Sequence, residues 1–140
     1  MDVTPIITRL QAQLSGFVAI AGAADMDAAI EAAPATPAAY VVPLAETAAD
    51  PDLAGAHHQR VLQEFGVVLV VANLRDATGR AAAVDLATRR LALRTALLGW
   101  APDASNGEVV AFTSGALLQF RDARLWWRDV FRVMTDFRSP

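Results

Sequence analysis

The fold is decided by residues 61–73, VLQEFGVVLVVAN, where the hydrophobic pattern changes within a single strand-like run. The run alternates at first, with Val61 and Phe65 on one side and polar residues on the other, as in a strand with one buried face. From residue 67 to residue 71 every side chain is apolar, which predicts a central strand covered on both faces. A central strand needs a hydrogen-bonded partner on each side, and the neighbouring sequence contains several candidates.

Other strand-like runs precede and follow this one. Residues 38–44 form the preceding run, in which Pro43 is expected at an edge or a bulge because proline donates no ladder hydrogen bond. Residues 109–120 and 125–137 follow, and the polar residues between them predict a hairpin turn. A short apolar run at 17–21 is expected as an edge strand. Together these runs predict a mostly antiparallel sheet.

Three helices are predicted around this sheet. The first begins at Thr4-Pro5, where a capping hydroxyl is followed by proline at the first helical position. A short second helix is expected at residues 26–33 and a long third helix at 80–98, where Gly99 can cap it. The chain is therefore predicted to be one α+β domain, a mostly antiparallel sheet with helices packed on it. One long helix is expected between the central strand and a C-terminal hairpin.

The long helix carries two apolar stripes on nearly opposite sides. The first, which is expected to pack on the sheet, comprises Val84, Ala87, Leu91, Thr95 and Leu98. The second comprises Leu86, Leu93 and Leu97. A helix on the surface of a monomer needs only one such stripe. The second stripe is therefore expected to be covered by another element, by a loop or by a neighbouring subunit, which makes its leucines candidate interface residues.

The same helix also carries a strip of arginines, Arg80, Arg89, Arg90 and Arg94. Three interpretations are open: a solvated face with local pairing to Asp85, a salt-bridge face between subunits, and contact with DNA. Contact with DNA is the least favoured, because the formal net charge of the chain is −3 and duplex-binding surfaces are generally basic.

Residues 46–58 are predicted to form a polar loop without periodicity. A hairpin needs only about two to five loop residues, so the extra length indicates a working loop that is mobile in the free subunit and ordered on assembly. Adjacent histidines on an extended chain point to opposite sides, so a solvated loop or a pH-sensitive contact is favoured over a metal site. The candidate contact residues of this loop are Glu46, Asp50, Asp52, His57 and His58.

The last strand-like run has two different faces. The expected core face comprises Leu125, Trp127, Phe131 and Val133, with Asp129 as an interruption. The other face comprises Trp126, Arg128, Val130, Arg132 and Met134. Mixtures of arginine and aromatic residues are common at protein interfaces. Trp126, Arg128 and Arg132 are therefore candidate contacts with an assembly partner.

The composition leaves little scope for catalysis. The chain has no cysteine, which excludes disulfides, thiolate metal sites and cysteine nucleophiles. Ser114-Gly115 lacks the flanking residues of a nucleophile elbow and is expected to be a β-bulge. The sequence predicts no catalytic residue, no metal site and no cofactor, and its apolar runs are too short to span a membrane.

Several short segments occur in a definite order along nearly the whole chain. They are RL at 9–10, PAAYVVPL at 37–44, QRV at 59–61, FGVV at 65–68, DL at 85–86, LLGWAP at 97–102, GALL at 115–118 and WWRDVF at 126–131. In this order and spacing they resemble the phage tail terminator (tail completion) family of long-tailed bacteriophages.

The resemblance implies a structural virion protein rather than an enzyme. Such proteins assemble as a homo-hexameric ring on the tail tube, stop its polymerisation at the length set by the tape measure protein, and offer a joining surface to the head or neck. The implied partners are copies of the same chain, the tail tube protein, a neck or head-completion protein and, as a further candidate, the tape measure protein. DNA would only pass through the ring, and no membrane is implied.

The location implied by the resemblance is the head-proximal end of the virion tail, after assembly in the host cytoplasm. Two alternatives stay open at the level of sequence. One is another head–tail connector or neck protein with a similar small α+β fold. The other is a small-ligand enzyme or binding module.

Overall fold

A computed structural model describes residues 1–52, 57–72 and 80–139 of the chain. The described residues form three helices and five strands, which confirms the predicted α+β class. In chain order the elements are α1 (Thr4–Gln13), β1 (Ala19–Gly22), α2 (Ala23–Glu31), β2 (Ala38–Ala48), β3 (His57–Ala72), α3 (Arg80–Leu97), β4 (Ala111–Arg121) and β5 (Arg124–Ser139).

The five strands form one sheet in the order β1-β2-β3-β5-β4. β3 lies at its centre and pairs antiparallel with β5 over its full length, from His57 opposite Ser139 to Ala72 opposite Arg124. β2 also pairs antiparallel with β3, and β4 with β5, whereas the short edge strand β1 runs parallel to β2. The predicted mostly antiparallel sheet, its central strand and its C-terminal hairpin are therefore confirmed.

The apolar half of β3 is covered on both faces, as its pattern predicts. On one face Phe65 stacks on Phe131 of β5, with 5.5 Å between the ring centroids, in a cluster closed by α1 and α3. On the other face Val68 and Val70 pack with Trp126 in a smaller cluster closed by α2. The helices thus lie on both sides of the sheet, and most of the core lies beneath α1 and α3.

The first part of β2 has a neighbouring strand on each side, whereas the last part of β2 lies at the edge of the sheet. β1 accompanies β2 only as far as Val41, which lies opposite Gly22. Pro43 comes just after this point, at a register shift between Pro43 and Ala45. A residue without an N–H donor is tolerated there because β1 has already ended. The predicted edge or bulge position of Pro43 is confirmed.

The connection between β2 and β3 is shorter than the loop predicted at residues 46–58. Residues 46–48 lie in β2 and residues 57–58 lie in β3. Asp52 exchanges two backbone hydrogen bonds with His58, with N–O distances of 2.6 and 2.9 Å. The ladder continues past the apolar half of the strands because backbone pairing does not require apolar side chains. Part of this connection lies outside the described residues, and its mobility stays a prediction.

The orientation of α3 is opposite to the predicted one. Leu86, Leu93 and Leu97 lie in the core and are at most 7% exposed. Val84 and Leu91, which were expected to pack on the sheet, are each 65% exposed. The prediction of the sheet-facing stripe is therefore wrong, and the three leucines are covered within their own subunit. Apolar periodicity does not distinguish the two stripes, whereas the contacts of the helix arginines do.

The helix ends differ only locally from the prediction. The Asp2 carboxylate, rather than the Thr4 hydroxyl, accepts the hydrogen bond of the first turn, at 2.9 Å from the Thr4 nitrogen. α2 begins at Ala23, a little earlier than expected. Gly99 has a φ of 78°, so the predicted left-handed cap after α3 is confirmed.

Candidate assembly surfaces

A buried ion pair joins α3 to β5. Asp129 is completely buried, and both of its carboxylate oxygens accept hydrogen bonds from Arg90 Nε at 3.1 Å. Arg90 Nη2 donates to Asp129 Oδ1 at 2.8 Å, and Trp127 Nε1 donates to the same oxygen at 2.9 Å. The Arg90 guanidinium carbon also lies 4.6 Å from the centre of the Trp127 ring. The residue that interrupts the core face of β5 is therefore a carboxylate satisfied by fixed donors.

Gly115 of β4 leaves the space that this ion pair occupies. Gly115 lies opposite Asp129 in the sheet. A Cβ atom at position 115 would lie 2.6 Å from Asp129 Oδ1 and 2.9 Å from Arg90 Nη2. The register shift between Phe112 and Ser114 immediately precedes Gly115, which confirms the predicted bulge. The Ser114-Gly115 pair thus has a packing role beside the ion pair.

Two further arginines of α3 also turn toward their own subunit. Arg89 Nε donates to Asp85 Oδ1 at 3.3 Å, and Arg89 Nη1 donates to the carbonyl oxygen of Gly16 at 3.3 Å. The guanidinium carbon of Arg94 lies 5.5 Å from the centre of the Phe112 ring. The predicted local pairing with Asp85 is confirmed for Arg89. These arginines do not form the continuous solvated strip that was the first interpretation.

The outward side of α3 is consequently apolar. We call Val84, Leu91 and Leu98, which are exposed at intervals of one heptad, the outer stripe. Thr88 and Thr95 lie between them, and their hydroxyls donate to the carbonyl oxygens of Val84 and Leu91 at 3.3 and 2.9 Å. Because these hydroxyls bond to the helix backbone, the two threonines add little polarity to the stripe.

β4 presents a second uncharged surface. It forms one edge of the sheet and carries the exposed side chains of Leu117, Leu118 and Phe120. The segment 109–120 contains no charged residue. Edge strands of soluble proteins usually carry charges, prolines or bulges that prevent pairing with other chains. β4 has bulges, at two register shifts opposite β5, and a single charged residue, Arg121, at its end.

The opposite face of the sheet differs from the prediction at Trp126. Trp126 is 5% exposed and lies in the cluster beneath α2, so it offers little surface to a partner. Arg132 is exposed, and the stem of Arg128 runs over Gly66, where an added Cβ would lie 3.2 Å from Arg128 Cδ. Arg128 Nε is buried without a hydrogen-bond partner. Within the described ranges neither arginine pairs with an acidic group.

Glu46 has a contact that its sequence position did not suggest. Its carboxylate lies 3.1 Å from the Met1 amine and accepts a hydrogen bond of 3.0 Å from Gln63 Nε2. The hydrogen bond from the amine, and then the one from Gln63, lower the pKa of the Glu46 carboxyl. Asp50 and Asp52 follow along the chain and are exposed. All three predicted acidic residues are accessible, and both Glu46 and Asp52 also have contacts within the subunit.

The two histidines contact different partners, as expected for adjacent residues on a strand. His57 Nε2 lies 3.1 Å from Gln59 Oε1, whereas His58 Nε2 lies 3.2 Å from Asp136 Oδ1 of β5. In the part of the chain that the structure describes, no group of three or more acidic or histidine residues is placed to hold a metal ion. The structure therefore does not bring the residues predicted for the 46–58 loop into one site.

Sequence reasoning missed the Arg90–Asp129 pair and the two uncharged surfaces. A signal for the pair was present, because a single carboxylate in an otherwise apolar strand face needs a buried cation or donor. A signal for β4 was also present in the uncharged segment 109–120. The outer stripe could not be found in this way, since its residues had been assigned to the core on equal periodicity.

The described residues form a small α+β subunit with an apolar helix face and an exposed, uncharged sheet edge. These features are typical of a structural protein that works by assembly with other chains. The chain belongs to the phage tail terminator family, since the family model "Phage tail terminator protein" matches residues 1–140. It is therefore a structural component of a phage tail, in the virion, and not an enzyme.

The other comparisons add little to this assignment. No curated protein matches the chain. A chain of a solved structure titled "Virion of native gene transfer agent (GTA) particle" is similar, with 18% identity and a TM-score of 0.41 over 74% of this chain and 72% of that chain. No helix among the described residues is both long and apolar enough to cross a membrane. The assignment rests on the family model.

Proposed function

We propose that this protein forms a ring on the end of a phage tail tube, ends the polymerisation of the tube, and provides the surface to which the head or neck joins. The observation that carries the proposal is the match of the tail terminator family to residues 1–140. Such a role requires contacts with the tube, with the next component and between copies. The outer stripe of α3, the edge strand β4 and the face with Arg128 and Arg132 offer separate surfaces for these contacts.

In the proposed assembly six copies close the ring, which lies at the head-proximal end of the tail with DNA passing through its centre. The direct partners are the tail tube protein and a neck or head-completion protein, and the tape measure protein is a further candidate. Addition of the ring to the tube end occupies the site where the next tube subunits would bind. Polymerisation stops because the exposed side of the ring does not accept tube protein.

Arg128 and Arg132 are proposed to bind acidic groups of the tube protein or of a neighbouring copy. Neither forms an ion pair within the described ranges, although Glu64 lies opposite Arg132 in the sheet, and Arg128 Nε is buried without a hydrogen bond. Arg132 is exposed, so a carboxylate of a partner can pair with its guanidinium through charge-assisted hydrogen bonds. Arginine is also enriched among the residues that dominate binding energies at interfaces.

The end of the β2–β3 hairpin, which carries Asp50 and Asp52, is proposed as a further contact that becomes ordered on assembly. Hydrogen exchange of residues 49–58, measured on the free subunit and on capped tails, tests this. Exchange should become slower after capping than in the free subunit, where the backbone hydrogen bonds of Ala49, Asp52 and His58 already give some protection. Strong protection of the whole segment in the free subunit would contradict the proposal.

The terminator role itself is tested by assembling tails with and without this protein. Without it, tubes should grow past their normal length, and addition of the purified protein should restore the normal length. Tubes of normal length in its absence contradict the proposal. If those tubes also fail to join heads, the protein is instead a connector or neck component, and labelled copies should then be located at the neck by electron microscopy.

The arginine contact is tested by the double change Arg128→Ala, Arg132→Ala. Thermal unfolding of the subunit should change only modestly, because no ion pair is lost and the loss is limited to the packing of the Arg128 stem over Gly66. Tube capping should weaken, and capping by the unchanged protein should weaken as salt is raised.

The matched control for the arginine contact is Arg80→Ala, Arg121→Ala, which removes the same charge from two other exposed positions. This control should cap tubes normally. Equal capping by the two double variants at all salt concentrations would show that the Arg128 face is ordinary surface.

A further inference from the structure

The polarity of α3 is distributed in an unusual way for a surface helix. Surface helices normally turn their charged side chains to water and their apolar stripe to the core. In α3, Arg89, Arg90 and Arg94 all contact groups of their own subunit, and the hydroxyls of Thr88 and Thr95 bond to the helix backbone. Val84, Leu91 and Leu98 are left exposed, and the charged residue with the most exposed side chain among the ion pairs of this helix is Asp85, which pairs with Arg89.

A partner for this surface must itself lack charge where it makes contact. Covering a charged side chain with an apolar surface removes it from water without compensation, which is strongly unfavourable. This argues against DNA and against an acidic or basic face of another protein as the occupant. It favours a partner with an exposed apolar and uncharged segment.

The same chain carries such a segment in β4. The segment 109–120 contains no charge, and Leu117, Leu118 and Phe120 are exposed along it. Its two register shifts bend the edge and disfavour extended strand pairing, so contacts through its side chains are favoured over an added strand. The two surfaces are different parts of the subunit, a helix side and a sheet edge, and they adjoin where Leu98 forms a bridge with Val110.

We infer that the outer stripe of α3 in one copy packs against the uncharged segment of β4 in a second copy. A closed ring is built from a heterologous contact, in which two different surfaces of each subunit meet. The outer stripe and β4 satisfy this requirement with matching apolar character. The inference rests on the proposed ring and adds to it the surfaces that hold neighbouring copies together.

The absence of cysteine from the chain allows a direct test, because every introduced thiol is unique. Leu91→Cys and Leu117→Cys are prepared as separate proteins, mixed, assembled into rings on tail tubes, and treated with a short bismaleimide. Cross-linked dimers should form in the mixture and should be scarce when either variant is used alone. Ile30→Cys, which lies on α2 on the other side of the sheet, replaces Leu91→Cys in the control mixture and should not cross-link.

Each other pattern of cross-links overturns the inference. Dimers from Leu91→Cys alone would show that the outer stripe meets its own copy across a two-fold axis. A product that joins Leu91→Cys to the tube protein would show that the tube covers the stripe. Assembled rings without any cross-link between the two variants would show that the stripe and β4 do not meet.

A second measurement uses charge rather than distance. Leu91→Glu should raise the protein concentration needed for ring formation about tenfold or more, since it places a carboxylate in an apolar contact. Ile30→Glu introduces the same charge at another exposed apolar position and should leave ring formation unchanged. If Leu91→Glu forms rings and caps tubes like the unchanged protein, the inference fails while the proposed function stands. If the unchanged protein neither forms rings nor shortens tubes, the proposed function fails first.

Discussion

The two sides of α3 have similar apolar content and opposite environments. Leu86, Leu93 and Leu97 are buried in the core, whereas Val84 and Leu91 are each 65% exposed. One contact distinguishes the two sides: Arg90 pairs with Asp129, which is completely buried. Rotation of α3 by half a turn would expose Leu86, Leu93 and Leu97 and would leave the Asp129 carboxylate without its cation. We therefore expect this buried charge to contribute to the choice of the stripe that becomes core.

The exposed stripe is free to contact another chain. The fold of the subunit does not use the outer stripe, and the helix arginines that would make this side soluble are engaged elsewhere. An exposed apolar stripe of this kind is expected in a subunit that uses the surface only after assembly.

Leu93→Glu should prevent stable folding, whereas Leu91→Glu should leave the subunit folded. A carboxylate at position 93, which is fully buried, should cost about 5 kcal/mol or more, comparable with the total stability of a small domain. Leu91 is exposed, so its replacement should change the free energy of unfolding by less than about 0.5 kcal/mol. Urea unfolding of both variants measures the difference. Equal destabilisation of the two would show that the described orientation of α3 is incorrect.

Asp129→Asn should reduce the free-energy difference between the two orientations of α3. The variant keeps the shape of the side chain but leaves Arg90 without its carboxylate, which should cost about 3 kcal/mol in the free energy of unfolding. The cost is limited because the Arg90 side chain is 20% exposed and can reach water. Asp85→Asn, at the exposed pair with Arg89, should cost less than about 0.5 kcal/mol. A cost at position 129 as small as at position 85 would mean that the ion pair does not hold α3.

Gly115→Ala should destabilise the subunit by about 1–3 kcal/mol, because the added methyl group would overlap the Asp129 carboxylate and Arg90. In an ordinary strand the same change is favourable, since it reduces the entropy of the unfolded chain. Ala116→Ser, at the next and exposed position, is the control and should have little effect. The two changes are compared by thermal unfolding. Stabilisation by Gly115→Ala would show that β4 is further from the ion pair than described.

The smallest effect should be a loss of stability at alkaline pH that is caused by ionisation of Tyr40. Tyr40 lies on the sheet face that α3 does not contact. Burial, and then the Asp25 carboxylate, raise the pKa of Tyr40 above its ordinary value of 10.0. A raised pKa stabilises the fold fully below pH 10.0, and this contribution is lost as the pH rises through the folded-state pKa. The chain has one tyrosine, no lysine and no cysteine, so no other side chain titrates in that range.

Two readouts follow for Tyr40. Phenolate absorbance should report ionisation above pH 10.0 in the folded protein, and Tyr40→Phe should reduce the loss of stability at alkaline pH. Leu91→Glu on α3 should leave the phenolate titration unchanged, because α3 and Tyr40 belong to different clusters. Titration of Tyr40 at or below its ordinary pKa would contradict the described burial.

The sequence by itself determined the features that depend on local backbone chemistry. Periodicity predicts the apolar run in β3. The steric properties of single residues predict the edge or bulge position of Pro43 and the left-handed cap at Gly99. The structure confirms all three. The bulge at Ser114 and the C-terminal hairpin belong to the same group, whereas the pairing of β3 with β5 was not predicted. The short segments that resemble the tail terminator family also lie along the whole chain, and the family match confirms that assignment.

Only the tertiary structure decided the features that depend on contacts between distant residues. In the observed rotation of α3, Arg90 contacts Asp129, which is 39 residues away, and two stripes of equal periodicity contain no information about that contact. Trp126 is buried because α2 covers it, although it shares its face of β5 with arginines. The length of the β2–β3 ladder depends on backbone pairing, to which polar side chains are no obstacle. In each case the outcome depends on the interaction energy between two segments that are distant in the sequence. The pattern of residues within one segment contains no information about that energy.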